Sequence, residues 1–239
     1  MIRLPVPKER IADRVALTRA ERHYLTDVLR LGPGAVLEVF DGEGRRFSAR
    51  LLSAEEMELT TLAAQERPAR TIVLAQALSK GEKMDLVVQK ATELGADAIL
   101  PLRAARSVVK LDERRAAERV RRWQRIAEQA ARQCGRADVP LVREVGTLDD
   151  VLEQAKVEGA AGLVLFEKER ARRLSEALAQ TTGPVILAVG PEGGWSDEEI
   201  AQAEEHGAVA VSLGRSILRT ETAGLAALCV AKFLEGELG

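Results

Sequence analysis

Short runs with apolar residues at alternate positions, a pattern typical of β-strands, fill the first part of the chain. They occupy residues 35–40, 46–52 and 56–62. The sequence Asp41-Gly-Glu-Gly44 separates the first two runs and supplies the glycines of a tight turn. This order predicts a meander of strands, as in a small β-barrel.

A helix is predicted ahead of these strands. Thr18 and Glu21 have the spacing of a capping box, in which each residue hydrogen-bonds the backbone of the other. Helical spacing continues through residues 18–31, and Gly32-Pro33 ends it. We therefore expect one helix to precede the meander.

The pattern changes from residue 71 onward, where buried strands alternate with amphipathic helices. The predicted strands are residues 72–78, 98–102, 162–166, 185–189 and 208–213. The predicted helices are residues 84–94, 116–134, 148–157, 169–180, 197–205 and 221–234. Such alternation predicts an α/β fold with a parallel sheet and helices on both of its faces.

A polar stretch separates the two patterns. Residues 65–70 contain Pro68 and are the predicted linker. The chain has 239 residues, enough for one large domain or two modest ones. We expect one domain over residues 1–68 and a second over residues 69–239.

Composition indicates a soluble, globular, cytoplasmic protein. Hydrophobic residues make up 46% of the chain and charged residues 30%. No apolar stretch approaches the roughly 20 residues that a membrane-spanning helix needs. The N-terminus lacks the basic start and apolar run of a signal peptide. We therefore expect no membrane partner.

Metal catalysis is not expected. The cysteines, Cys134 and Cys229, lie far apart, and the histidines are His23 and His206. They form no CxxC, HExxH or other zinc-type spacing, so we interpret all four as packing or surface residues.

Charge is unevenly distributed, although the net charge is only −2. Residues 80–143 hold 15 Lys and Arg against 9 Asp and Glu, whereas residues 144–239 hold 8 against 17. A basic face of this kind suits a polyanion. A solvated helix face is the equal alternative for Arg114, Arg115, Arg119, Arg121, Arg122 and Arg125.

Two loops are predicted at the carboxyl ends of strands, where open α/β sheets bind ligands. The first is Gly190-Pro-Glu-Gly-Gly194, whose glycines let the backbone approach a ligand closely. Ser196 and Glu199 form a capping box for the helix that follows. A plain turn is the alternative interpretation of this loop.

The second loop runs through Leu213–Thr222 and ends at the last helix, for which Thr220 is the predicted N-cap. Arg219 and Glu221 stand together at its end, after two apolar residues. We interpret this loop as a site with an apolar floor and a charged rim. An ion pair between Arg219 and Glu221 at a helix start is the simpler alternative.

Several motifs follow one another along the chain: Lys80-Gly81 with Lys83-Met-Asp85, Gln89–Gly95, Trp123 with Ile126, Glu128–Gln133 ahead of Gly135-Arg136, Gly190–Gly194 and Ile217–Ala223. In this order they resemble the ribosomal RNA small subunit methyltransferase E family, over essentially the whole chain. Members are S-adenosylmethionine-dependent enzymes that methylate uridine N3 in 16S ribosomal RNA.

The resemblance implies a homodimer with an N-terminal PUA-like β-barrel and a C-terminal SPOUT domain tied in a trefoil knot. Periodicity alone predicts an ordinary doubly wound sheet, because knots are nearly absent among folds. The resemblance also implies that S-adenosyl-L-methionine binds at Leu165, Phe166, Ala188, Val189, Gly190, Glu192, Gly193, Leu213, Ile217 and Leu218.

Removal of the uridine N3 proton requires a base or a cation that stabilises the resulting anion, and Arg219 and Glu221 are the candidates. The expected phosphate contacts are Lys80, Lys83, Lys90, Arg106, Arg132, Arg136, Arg3, Arg22 and Arg30. Aromatic residues are only 3% of the chain, so charge and shape should dominate recognition over base stacking.

Other functions fit part of the pattern. A non-catalytic RNA-binding protein explains the basic segment but not the two loops. A nucleotide-binding metabolic enzyme explains the loops but not the N-terminal module. A methyltransferase of the same class acting on another RNA nucleotide fits all of them.

Overall fold

The computed structural model describes residues 2–61, 70–109 and 111–238. The chain divides into two compact units, Met1–Arg67 with Ala131–Val139, and Pro68–Ala130 with Pro140–Gly239. The predicted linker, apart from Arg70, lies outside the described residues, so a domain boundary at residues 68 and 69 stays a prediction. Every helix in the described ranges is too short or too polar to cross a membrane.

A mixed five-stranded sheet forms the first unit. Its strands are β1 (Arg3–Pro5), β2 (Arg14–Ala16), β3 (Val36–Phe40), β4 (Arg46–Leu51) and β5 (Glu56–Thr61). They pair in the order β1-β3-β4-β5-β2, with β1 parallel to β3 and the other pairs antiparallel. The three predicted strands are confirmed. Strands β1 and β2 have three residues each, too few to show an alternating pattern.

The predicted first helix is shorter than its sequence pattern. Helix α1 (Arg19–Arg22) is followed by a π-helical turn, His23–Val28, rather than by regular helix to residue 31. The capping box is confirmed, because Thr18 Oγ1 accepts from the Glu21 N–H at 3.3 Å and Glu21 Oε2 accepts from the Thr18 N–H at 2.7 Å. The widened turn ends in a left-handed residue, Arg30, with φ of 55°.

A parallel sheet forms the second unit. Its strands are β6 (Ile72–Ala77), β7 (Ala98–Arg103), β8 (Leu141–Val142), β9 (Gly146–Thr147), β10 (Ala161–Leu165), β11 (Val185–Val189) and β12 (Val209–Val211). They pair in the order β12-β10-β11-β6-β7-β8, and β9 also pairs with β7. All pairs are parallel, which confirms the predicted sheet. The two-residue strands β8 and β9 were not predicted.

Helices cover both faces of this sheet, as predicted. They are α2 (Lys83–Glu93), α3 (Glu113–Cys134), α4 (Leu148–Glu158), α5 (Leu174–Gln180), α6 (Asp197–Glu205) and α7 (Thr220–Leu234). Helices α4 and α6 pack together on one face, over Val73, Ala75 and Ala77 of β6. Helix α7 packs with α2 and α5 against β6 and β11 on the other face.

The starts of several helices differ from the predictions: α2 and α3 begin one and three residues earlier, at Lys83 and Glu113, and α5 and α7 differ for identifiable reasons. Helix α5 begins at Leu174 rather than at residue 169, because the Glu169 carboxylate accepts from the N–H groups of Ala171 and Arg172, at 2.6 and 3.1 Å. Helix α7 takes Arg219, not Thr220, as its N-cap, since the Thr220 hydroxyl is engaged elsewhere.

Candidate functional site

A pocket of about 520 Å³ opens at the carboxyl ends of β10, β11 and β12, three neighbouring parallel strands. Its walls are the loops that follow these strands. The volume lies within the range of roughly 300–1,000 Å³ typical of small-molecule sites. The position agrees with the rule that open parallel sheets bind ligands beyond their carboxyl ends.

Nine of the ten residues expected to hold a cofactor line this pocket. Ala188 does not line it, because its side chain is fully buried in the core on the α4 side of the sheet. The other lining residues are Lys83, Glu167, Arg170, Pro191, Gly194, Val211, Ser212, Gly214, Ser216, Arg219, Thr220 and Ala223. The structure thus gathers the two predicted loops at one cavity, and the binding role of these residues stays a prediction.

The glycine-rich loop is held in shape by its surroundings. Gly194 has φ of 70°, a left-handed conformation that favours glycine. A Cβ at Gly193 would lie 3.0 Å from the Cβ of Arg106. Beyond the loop, the predicted capping box is confirmed, since Ser196 Oγ accepts from the Glu199 N–H at 3.1 Å and Glu199 Oε2 from the Ser196 N–H at 2.8 Å.

Trp195 anchors the glycine-rich loop to the core. Its ring is fully buried, and its Nε1 donates to the carbonyl oxygen of Leu165 at 3.1 Å. A Cβ at Gly190 would lie 3.1–3.3 Å from this ring. The indole therefore joins the end of β10 to the first residue of the glycine-rich loop.

A buried relay connects the start of α7 to the glycine-rich loop. Thr220 Oγ1 donates to the carbonyl oxygen of Gly190 at 2.6 Å and accepts from Nε2 of Gln76 at 2.8 Å. Gln76 is completely buried in β6. The sequence shows a glutamine within an apolar strand, which signals a specific partner, but the partner lies 144 residues away.

An ion triad stands at the pocket rim and joins three residues predicted to have separate roles. Lys83 Nζ lies 3.2 Å from Glu192 Oε1 and 3.2 Å from Glu221 Oε2. The Lys80 N–H also donates to Glu192 Oε1, at 3.3 Å. The triad thus ties the start of α2 to the glycine-rich loop and to the first turn of α7.

Lys83 and Glu192 of the triad stay charged around neutral pH. Hydrogen bonding to Glu192, followed by that to Glu221, raises the pKa of Lys83 against the opposing effect of desolvation. Burial favours the neutral form of Glu192, yet backbone hydrogen bonds and the Lys83 ammonium outweigh it and lower its pKa. Opposite shifts widen the pH range over which both partners are ionised.

Arg219 lies at the pocket wall without an acidic partner. The simpler interpretation, an ion pair with Glu221, is not observed, because Glu221 pairs with Lys83 instead. In the described part of the chain, no carboxylate lies within ion-pair distance of the Arg219 guanidinium. Its charge is therefore directed to the pocket or to solvent.

Three of the four expected phosphate contacts in the second unit have side chains bound to protein partners. Arg106 donates to the carbonyl oxygens of Gly193 and Trp195, at 3.3 and 3.1 Å, and so supports the glycine-rich loop. Lys90 pairs with Glu93 at 2.9 Å. Lys83 belongs to the triad, and Lys80 is exposed.

The expected phosphate contacts in the first unit are also mostly paired with acidic residues. Arg3 lies 3.1 Å from Glu38, Arg22 lies 3.2 Å from Glu55, and Arg136 lies 2.5 Å from Asp138. The guanidinium of Arg132 stacks on the Tyr24 ring at 5.4 Å, and Arg30 is exposed. RNA contacts by these residues stay predictions.

Metal-type ligands do not gather anywhere in the described ranges, where no group of three or more His, Cys, Asp or Glu could hold an ion. Cys134 is exposed, Cys229 is partly buried, and both are free thiols.

Comparison with known proteins gives matches over both units. The model of the RNA methyltransferase domain matches residues 65–232, and that of the RNA methyltransferase PUA domain matches residues 17–60. A ribosomal RNA small subunit methyltransferase E from Bacillus subtilis is 31% identical, over 93% of this chain and 91% of the relative. The Mycobacterium bovis protein of the same name is 37% identical, over 87% and 82%. This chain belongs to the ribosomal RNA small subunit methyltransferase E family.

Solved structures agree with membership of the methyltransferase E family. One from Neisseria gonorrhoeae, bound to S-adenosyl methionine, is 35% identical and has a TM-score of 0.86 over 98% of each chain. A methyltransferase from Legionella pneumophila, in complex with the cofactor SAM, is 32% identical with a TM-score of 0.81, over 98% of this chain and 97% of the other. The family resemblance of the sequence motifs is thereby confirmed.

Proposed function

We propose that this chain transfers a methyl group from S-adenosyl-L-methionine to N3 of a uridine in the 16S ribosomal RNA of the small subunit. The observation that carries the proposal is the pocket beyond β10, β11 and β12, where the glycine-rich loop faces Arg219 in a chain of the methyltransferase E family. Relatives whose structures hold S-adenosylmethionine cover nearly the whole chain.

The residues of the pocket fit this cofactor. Its walls combine apolar side chains, such as Leu165 and Ile217, with the backbone of Gly190–Gly194. Ile217 is 74% exposed, although apolar, which suits a side chain that a ligand covers. The carboxylates of Glu167 and Glu192 lie beside the same cavity and suit the positive charges of the cofactor. Ala188 supports the pocket from within the core.

When bound, S-adenosylmethionine supplies an electrophilic methyl group on a positively charged sulfur. Uridine N3 loses its proton and forms a bond to that methyl carbon as the carbon–sulfur bond breaks, which leaves S-adenosylhomocysteine, methylated RNA and one proton. We assign Arg219 to the negative charge that develops on the uracil ring, because its guanidinium is unpaired within the described structure and lines the pocket.

Glu221 is the proposed proton acceptor. Its side chain is 14% exposed and lies 3.2 Å from the Lys83 ammonium. A carboxylate at the rim is able to take the N3 proton once Arg219 has made that proton more acidic. Lys83 then orients Glu221 and holds the loop through Glu192.

RNA is proposed to bind through charge and shape. The first unit matches an RNA methyltransferase PUA domain, and it carries Arg3, Arg22, Arg30, Arg132 and Arg136. These residues and the lysines near the pocket are the proposed phosphate contacts. The reacting uridine must be unpaired or rotated out of a helix to reach the pocket.

We propose that the chain after β12 completes a trefoil knot of the SPOUT type. Strand β12 is at the sheet edge, yet the following helix α7 packs on the inner strands β6 and β11. The Thr220 hydrogen bond to Gly190 joins the two loops where such a crossing would lie.

A homodimer is proposed from the outer surface of α2 and α7. These helices pack together and leave Leu86, Phe233 and Leu234 exposed by 43%, 64% and 46%. Burying such side chains between two copies stabilises an interface. Analytical ultracentrifugation is expected to give a dimer, and a monomer with full activity at working concentration would exclude it.

Cofactor binding without metal is the direct test of the pocket. Calorimetry with S-adenosylmethionine in the presence of a chelator is expected to show one binding event per chain. If binding were absent in the presence of the chelator and returned when a divalent ion was added, the metal-free proposal would be contradicted. Absence of binding under both conditions would contradict the cofactor assignment itself.

A further inference from the structure

A second cavity, of about 450 Å³, adjoins the proposed cofactor pocket. We call it the arginine groove, because three of its lining residues are Arg170, Arg173 and Arg215. Its other lining residues are Leu174, Ser175, Ser212, Leu213, Gly214 and Val230. It shares Arg170, Ser212, Leu213 and Gly214 with the pocket, so the two cavities form one continuous depression.

Backbone hydrogen bonds fix the two sides of the arginine groove. The Ser212 N–H donates to the carbonyl oxygen of Arg172 at 2.8 Å, and the Leu174 N–H donates to the carbonyl oxygen of Ser212 at 2.9 Å. Gly214, with φ of 131°, then turns the chain toward Arg215. The positions of Arg173 and Arg215 along the groove are therefore set by the fold before any ligand arrives.

The charge of the arginine groove is uncompensated. No acidic residue of the described ranges lines the cavity. None of its three guanidinium groups forms an ion pair with a carboxylate in the described ranges, whereas Lys90, Arg22 and Arg136 do. Glu169, the residue before Arg170, uses its carboxylate on the N–H groups of Ala171 and Arg172. Glu176, three residues after Arg173 in the first turn of α5, does not line the cavity and forms no ion pair with Arg173 in the described ranges. Three unpaired, exposed arginines side by side repel one another unless an anion binds between them.

We propose that the arginine groove binds phosphates of the substrate RNA next to the nucleotide that enters the pocket. This inference rests on the proposed function, since it names the surface that guides RNA to that site. A guanidinium fork matches two phosphate oxygens and stays charged at every physiological pH. An RNA strand with a base in the pocket has its neighbouring phosphates close to the mouth, where the groove begins.

The test is a double variant, Arg173→Gln with Arg215→Gln. Neither residue lines the cofactor pocket, whereas Arg170 does and is left intact. The matched control is Arg143→Gln with Lys156→Gln, which removes two positive charges from the region of α4, on the other face of the sheet. Both proteins are compared with the wild type by filter binding of small-subunit RNA, both protein-free and in assembled subunits, over a salt series, and by calorimetry with S-adenosylmethionine.

The groove variant is expected to bind RNA on the order of 10-fold more weakly, with a salt dependence smaller by about two phosphate contacts. Its cofactor affinity should equal that of the wild type, and the control should match the wild type in every measurement. RNA affinity and salt slope equal to those of the control would overturn the proposal. So would a loss of binding seen with assembled subunits but not with protein-free RNA, which would assign the groove to a ribosomal protein.

Failure of this inference is distinguishable from failure of the proposed function. If the wild-type protein transfers methyl to RNA and the groove variant behaves like the control, only the proposal for the arginine groove is overturned. If the wild-type protein binds no S-adenosylmethionine or transfers no methyl group, the proposed function is overturned instead.

Discussion

Arg219→Ala is expected to lower the single-turnover rate of methyl transfer about 100- to 1,000-fold at saturating RNA and cofactor, the usual cost of losing one group that stabilises developing charge. The guanidinium lines the pocket and is unpaired in the described structure, so its charge is available to the uracil ring. The affinities for RNA and cofactor should change much less, because the interaction strengthens only as N3 loses its proton.

Arg219→Lys is the control for this variant. It keeps the charge but loses the planar fork, so an intermediate rate is expected. If Arg219→Ala lost RNA binding but transferred methyl at the normal rate once saturated, Arg219 would be a phosphate contact. Glu221 would then be the remaining catalytic candidate.

Gly224→Ala is expected to destabilise the fold by about 1–3 kcal/mol, the usual cost of overpacking a core. Helix propensity alone predicts the opposite, a gain of about 0.5–1 kcal/mol for alanine within a helix. Packing wins here because a Cβ at this position would lie 2.5 Å from Oε1 of Gln76 and 3.3 Å from Leu74. Displacement of α7 would also pull Thr220 away from Gly190. Urea unfolding measures the difference.

A double variant isolates the contact. Gln76→Ala combined with Gly224→Ala removes the crowding atom, so the two losses of stability should not add, and the cycle should show favourable coupling. The surrounding protein then keeps its fold although the relay is lost. An increase in stability for Gly224→Ala alone would show that α7 does not approach β6 as closely as described.

The sheet of the second unit could be predicted because its long strands are almost entirely apolar. Strands β6 and β11 need no partner information to be recognised. Residues 169–173 are good helix formers, yet they form a loop, since the Glu169 carboxylate accepts from the Ala171 and Arg172 N–H groups and Arg173 forms a β-bridge with Ser212. Arg173 and Ser212 lie almost 40 residues apart in the sequence, and the spacing of apolar residues does not detect a contact between such distant positions.

The candidate site, like the fold, could be predicted from the sequence only in part. Both loops could be predicted from glycines and charges close together in sequence, and the structure brings them to one pocket. Gln76 and Lys83 find their partners through the fold of the sheet and α7, more than 100 residues along the chain. The arginine groove could not be predicted for a related reason. Residues 144–239 carry an excess of acidic residues, so a charge count along the chain does not reveal three arginines that gather only in the fold.

Mass spectrometry of the RNA product tests the central proposal most directly. Small-subunit RNA, both free and in assembled subunits, is incubated with the protein and isotopically labelled S-adenosylmethionine, then digested to nucleosides. We expect one labelled product, uridine methylated at N3, and its absence with Arg219→Ala on the same timescale. Label on a ribose, on another base or on no nucleoside at all from either substrate would contradict it.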